Sequence, residues 1–280
     1  MSASAITIGN VSILPLLDCN LLMNPLGFFG SNGQQFLDDY SHLANERGLM
    51  NVSITTYLVR SAGKNILIDT GLGPRRRAGF PLGHLDDALK QANVAPEEID
   101  TIIHTHLHID HVGWNFVPND EGGGSRRFFP NARYLVQQAE WDYWVQPEHV
   151  ENPGQPQLRE CVAPLADTGK LDLVSGEQAI DENLVFISTP GHTPGHVAIG
   201  IVSSGERAVV IGDASHHPVQ LEHPDWSPTA DWDPVMSART RERLFDDAAN
   251  DGRTWIAGHW EHPGLGRIVR LDGKRVFQAL

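Results

Sequence analysis

The stretch His104-Thr105-His106-Leu107-His108-Ile109-Asp110-His111 limits what this chain can become more than any other. It follows an apolar run, Thr101-Ile102-Ile103, that reads as a buried strand. Along an extended chain, residues two apart point to the same side, so His106 and His108 can face one point in space. Asp110 and His111 come just after, where the strand turns into a loop. Their imidazoles and carboxylate exceed what one divalent ion usually takes from so short a segment. A lone histidine is more often structural, but this cluster is internal and interleaved with Leu107 and Ile109. The stretch points to a metal site, and to two metals.

At 280 residues the chain can bury a sizeable core, and it reads as a single domain over residues 1–280. No window approaches the apolar length of a membrane span. The first residues lack a positively charged region and a long apolar one, so no secretory signal is expected. Cys19 and Cys161 form no framework and no metal-binding pair, and a cytoplasmic location with two inert thiols is the expectation. A formal charge of −14 disfavours nucleic acid, whose binding relies on Lys and Arg neutralising phosphates. The basic run Arg75-Arg76-Arg77 reads as a solvated loop face.

Taken in order, Val11 to Asp18 reads as a first strand, interrupted by Pro15. Residues 19–50 read as an irregular apolar segment punctuated by Gly and Pro, suited to lining a pocket or covering a homodimer interface. Strands are expected over 51–60 and 65–70, the second ending in Asp69-Thr70-Gly71. Helices are expected over 84–93 and 139–145, the latter packing through Trp141 and Trp144. Glu121-Gly122-Gly123-Gly124-Ser125 reads as a flexible surface loop. Strands over 171–174, 184–188, 197–202 and 208–211 follow, then a helix over 234–250. The chain closes in a hairpin over 266–280 around Asp272-Gly273.

Several of these strands end in metal-ligating residue types. His192 sits in Thr189-Pro190-Gly191-His192-Thr193-Pro194-Gly195-His196, a loop made rigid by its glycines and prolines. Asp213 follows one apolar strand, and His259 ends Trp255-Ile256-Ala257-Gly258. Five imidazoles and two carboxylates suit two borderline ions held by nitrogen and oxygen, with Asp213 as the bridge. Zinc is the expected metal, with manganese, cobalt or iron as alternatives. Asp69, His104 and His196 are expected behind the ligands, as partners for their second nitrogens. Phe28, Phe29, Trp226 and Trp232 are expected to line an apolar substrate pocket.

The signature His106-x-His108-x-Asp110-His111, followed in order by His192, Asp213 and His259, resembles that of the metallo-β-lactamase superfamily. The resemblance spans nearly the whole chain and implies an α/β fold, a four-layer αββα sandwich with the metals where the sheets meet. It implies one metal at His106, His108 and His192, another at Asp110, His111 and His259, and Asp213 between them. In some β-lactamases of the superfamily a cysteine stands where this chain has Asp213, which disfavours that activity. The segments Asp213 to Gln220 and His262 to Ile268 are similar to the methyl parathion hydrolase branch, which also holds lactonase-like proteins. Acyl-homoserine lactonases often carry a tyrosine three residues after the bridging aspartate. Here that residue is His216.

The expected chemistry is hydrolysis of a small neutral ester or lactone by a metal-bridging hydroxide. Asp110 would steer the nucleophile's proton, and His216 would donate to the substrate oxygen. A phosphotriesterase is the main alternative, and a thioesterase a lesser one. A di-iron redox protein and a non-catalytic metal-binding module come from other classes.

Overall fold

The computed structural model describes residues 4–119 and 123–280. Glu121 and Gly122 of the glycine-rich segment lie outside them, as do the first three residues. Strands β1 (Ile6–Ile8), β2 (Val11–Met23), β3 (Met50–Ser61), β4 (Lys64–Ile68) and β5 (Thr101–Ile103) begin the chain. A small ribbon of β6 (Phe116–Pro118) and β7 (Ser125–Arg127) follows, then β8 (Arg133–Gln137) and β9 (Leu171–Val174). One sheet has the order β1-β2-β3-β4-β5-β8-β9. The other is built from β10 (Leu184–Ser188), β11 (Val197–Ser203), β12 (Glu206–Val210), β13 (Thr254–Ile256), β14 (Leu265–Leu271) and β15 (Lys274–Ala279), in chain order. The helices are α1 (Pro25–Phe28), α2 (Gly33–Asp39), α3 (Leu85–Gln91), α4 (Ile109–Val112), α5 (Gln138–Trp144), α6 (Pro147–Val150) and α7 (Pro234–Asp251).

Alternation along the strands explains the layering. Ile13, Tyr57, Val59, Ile66 and Ile68 of the first sheet meet Leu184, Phe186, Ile199, Ile201 and Val210 of the second in one shared apolar layer. Their neighbours point the other way. Leu58, Leu67 and Ile102 pack outward against Leu85 and Leu89 of α3 and Trp141 and Trp144 of α5. Val209 and Trp255 pack outward against Leu244, Phe245 and Ala248 of α7. The result is helix, sheet, sheet, helix: the αββα sandwich expected from the sequence.

Helix α7 is bounded by strong local signals. Asp233 caps it by accepting from the Met236 N–H at 2.9 Å, Pro234 takes the first turn, and Gly252 leaves with φ +67°. No described helix is long and apolar enough to cross a membrane.

Two expectations are corrected. Strand β2 does not stop at Asp18 but runs to Met23, and the segment expected to be irregular continues as the short helices α1 and α2. The strand survives because its register slips between Leu17 and Cys19, a bulge that turns Asp18 inward. There its carboxylate accepts from the Leu72 and Leu85 N–H groups and from Trp114 Nε1, at 2.7, 2.8 and 2.8 Å. Phe29, Phe36 and Met50 then pack with Val219 and Trp226 in a small core of their own. The basic run is not a solvated face either. Arg75 and Arg77 are mostly buried and share Glu160, at 3.3 and 2.7 Å, leaving Arg76 exposed.

Candidate metal centre

The fold brings strand ends from both sheets to one place. β5 ends at Ile103, and the next residues carry His106 and His108. Helix α4 then turns Asp110 and His111 toward the same point. From the second sheet, His192 follows β10, Asp213 follows β12 and His259 follows β13. Their ligand atoms fall into sets lying within 4.8 Å: His106, His108, His192 and Asp213; Asp110, His111 and His259; and Asp213, His216 and His259.

Asp213 stands between the sets. Its Oδ2 is 3.2 Å from His192 Nε2 and 3.5 Å from His106 Nε2. Its Oδ1 is 3.2 Å from His111 Nε2, and His259 Nε2 lies 3.0 Å from Oδ1 and 3.1 Å from Oδ2. Asp110 completes the second set, 3.8 Å from His111 and 3.6 Å from His259. His108 Nδ1 lies 2.9 Å from His192 Nε2, and the Nε2 atoms of His111 and His259 are 3.3 Å apart. Nitrogen lone pairs so close repel unless a proton or a cation stands between them. His106 Nε2 and Asp213 Oδ1 are buried with no hydrogen-bond partner. Unsatisfied atoms of this kind, in a nitrogen and oxygen donor set, fit two borderline divalent cations.

The surrounding groups decide which ring nitrogen faces inward. The His111 Nδ1–H donates to Asp69 Oδ2 at 2.9 Å, and that of His259 to the Ser53 carbonyl at 2.8 Å. His106 Nδ1 meets Thr105 Oγ1 at 3.0 Å, and His192 Nδ1 meets Asp231 Oδ1 at 2.7 Å. Each contact leaves Nε2 free for a cation and makes it more basic. Asp69 also accepts from the Thr105 N–H and hydroxyl, which explains why this turn residue is held at φ +61°. His196 lies against Asp213, accepting its backbone N–H at 2.9 Å. His104 reaches no ligand, but sits 3.1 Å from Asn115 and 3.6 Å from Asp69.

Charge follows from this crowding. Burial alone would raise the Asp213 carboxyl, but His111, His259, His106 and His216 hold it well below the usual carboxylate range. Burial pushes His106 and His108 well down, so they are neutral, the state a metal ligand needs. Burial is outweighed at His192, where Asp213 and Asp231 lift the imidazole to about 9, and at His111 and His259, which Asp213 and Asp110 also raise, so a cation binding there would displace protons. Burial holds Asp231 less strongly than His192 and Arg241 do, and its carboxyl falls to about 2. His216 is pulled down to about 4 by burial, leaving one N–H on a neutral ring. Its Nε2 lies 3.1 Å from Asp213 Oδ2, and its buried Nδ1 has no partner.

Above this centre opens a cleft of about 290 Å³ with Leu21, Met23, Phe28, Val52, Phe80 and Ile109 as its apolar wall. His108, Asp110, His192, Asp213, His216 and His259 also face it, and among the described residues no Lys or Arg does. Of the aromatics expected in the lining, only Phe28 is there. Phe29 and Trp226 are buried in the cluster behind it, since α1 turns successive side chains to different sides. Trp232 is half exposed and packs beside Tyr143.

Sequence reasoning missed Asp231, Arg241 and Glu140. Glu140 is buried and accepts from the Leu107 and Gly195 N–H groups, the Thr193 hydroxyl and Trp144 Nε1. Its signal was available: a carboxylate one turn before Trp144, on the apolar face of a helix. Asp231 lies in a loop, where no periodicity marks it.

Comparison with known proteins places this geometry. The model of the Metallo-beta-lactamase superfamily matches residues 50–117. An N-acyl homoserine lactonase of Bacillus thuringiensis is 24% identical over 229 residues, 75% of this chain and 82% of its own length. A crystal structure of the hydrolase AbOPH in the beta lactamase superfamily superposes with a TM-score of 0.84 at 31% identity, covering 100% of this chain and 97% of that one. The dizinc quorum-quenching lactonase AidC, solved with a product, superposes at 0.81 with 22% identity, covering 99% and 97%.

Proposed function

The chain belongs to the metallo-β-lactamase superfamily, and on that basis we propose that it hydrolyses a neutral lactone or carboxylic ester with two zinc ions. It is a metal-dependent hydrolase whose His and Asp clusters form the active site. One observation carries the finer reading: Asp213 stands between two imidazole pairs, His106 and His192 on one side and His111 and His259 on the other, beneath an apolar cleft.

In this reading His106, His108 and His192 hold one cation, Asp110, His111 and His259 hold the other, and Asp213 serves both. The bound pair supplies Lewis acidity and, by lowering the pKa of water, a hydroxide nucleophile at neutral pH. Phe28, Met23, Val52 and Phe80 take up the apolar part of the substrate and exclude water from the reacting carbonyl. Beyond the cations themselves the described lining has no Lys or Arg to pair with an anionic group, and its apolar wall favours an uncharged substrate. Asp110, half-buried at the cleft floor, takes the nucleophile's proton. His216, in the cleft wall, would give its single N–H to the substrate oxygen in place of the contact its Nε2 makes with Asp213. The similarity to lactonases supports a lactone before an open-chain ester.

A hydrolysis panel on metal-replete protein tests this: lactones, aryl esters, thioesters and phosphotriesters side by side, with metal analysis. Lactone or ester turnover that vanishes on exhaustive chelation and returns with zinc is expected. Turnover that survives with the metal content near zero sinks the reading. A phosphotriester is the second reading, favoured by the same apolar wall. The proposal extends to a cytoplasmic homodimer whose contact includes the exposed Leu22, Leu26 and Leu43, read out by light scattering.

A further inference from the structure

We infer that Arg241 is a positioning residue for the metal centre, holding His192 and Asp213 in mutual aim from behind. This rests on the two-cation reading and adds to it a residue that touches neither cation nor substrate.

Arg241 lies within α7, and its side chain is fully buried, as is that of Asp231. Every guanidinium nitrogen has a partner. Nε donates to the Ala214 carbonyl at 2.8 Å and Nη1 to the Pro224 carbonyl at 2.5 Å. Nη2 donates to Ser237 Oγ at 2.9 Å and to Asp231 Oδ2 at 3.2 Å. The other oxygen of Asp231 receives His192 Nδ1 at 2.7 Å. Ala214 is the residue next to Asp213. One planar cation therefore fixes the carboxylate behind His192 and the backbone beside Asp213. The Nε2 and Oδ2 atoms of those two residues face each other at 3.2 Å. Backbone contacts tighten the same unit: the Trp232 N–H donates to the His192 carbonyl, and the Asp233 N–H to that of Gly191.

The bland alternative is a buried ion pair that merely fastens α7. Fastening a helix does not call for a charge, since apolar side chains of similar volume do it as well or better. A guanidinium fork does what they cannot. It spans two acceptors in fixed directions, the Asp231 carboxylate and the Ala214 carbonyl. A carboxylate so placed fixes a ligating histidine's orientation and raises its basicity.

The test uses the full chain, stripped of metal and titrated with zinc against a chromophoric chelator, alongside unfolding of the metal-free protein. Asp231→Asn is expected to weaken one zinc equivalent by about 10–100-fold, and Arg241→Met to weaken that one similarly and the other by less, through Asp213. The double variant is expected to fall short of the sum of the two single losses, because the guanidinium reaches His192 only through Asp231. Zinc affinities equal to those of the unaltered chain, with only metal-free stability reduced, would overturn the inference. Should Arg241→Met not fold, Arg241→Lys, which keeps the charge and loses the fork, decides by the same titration. An unaltered chain that takes up no zinc overturns the two-cation reading itself, a result distinct from the other.

Discussion

At the scale of single residues, backbone freedom matters as much as ligand chemistry. Gly212 precedes Asp213 at φ +52°, and a Cβ there would lie 2.6 Å from His196 Nε2 and 2.9 Å from Thr105 Cβ. Gly212→Ala is expected to cost about 1–3 kcal/mol in denaturant unfolding and to lower zinc uptake, because it pushes on the residues that seat Asp213. The cysteines give a prediction in pH. Burial lifts the Cys161 thiol to about 11 and that of Cys19 higher still. At pH 8 only about one Cys161 in a thousand is thiolate, and the fraction grows tenfold per pH unit until pH 11. A thiol reagent should react slowly with the native protein, faster as pH rises, and with both cysteines once it unfolds. Fast labelling of the native chain at pH 7 would contradict the burial described. Candidate ligands could be read from the sequence because each lies in the short segment that follows a strand. Asp231 and Arg241 could not, because they act across a loop and a helix, through contacts that leave no spacing.

At the scale of elements, the decisive join is α5 against two loops. Glu140 receives donors from the loop bearing His106 and His108 and from the loop bearing His192. Glu140→Gln replaces one acceptor oxygen with a donor, leaving the donors that met it without partners. A loss of about 3 kcal/mol is expected in chemical denaturation. A change below about 0.5 kcal/mol would mean the loops hold themselves. Strands and long helices were legible because their period is written in apolar residues. Helix α7 was expected over 234–250 and runs over Pro234–Asp251. The stretch after Asp18 was not legible. There a bulge keeps a strand alive through a carboxylate, and only tertiary partners for Asp18 make that favourable. The pocket wall failed for a related reason: aromatics next to each other in sequence, Phe28 and Phe29, face cleft and core respectively.

At the scale of the molecule, the ligands are divided between the sheets. His106, His108, Asp110 and His111 come from the first, and His192, Asp213 and His259 from the second. Each proposed cation thus draws on both. Even the His259 ring is aimed by a carbonyl across the divide, that of Ser53 in β3. Chelation should therefore lower the melting temperature by several degrees, since a ligand bound only by the folded chain stabilises it by mass action. The division also has a consequence for cooperativity. The loaded centre works as a rivet through two plates, so calorimetry should show one sharp transition with zinc and a broader or split one without it.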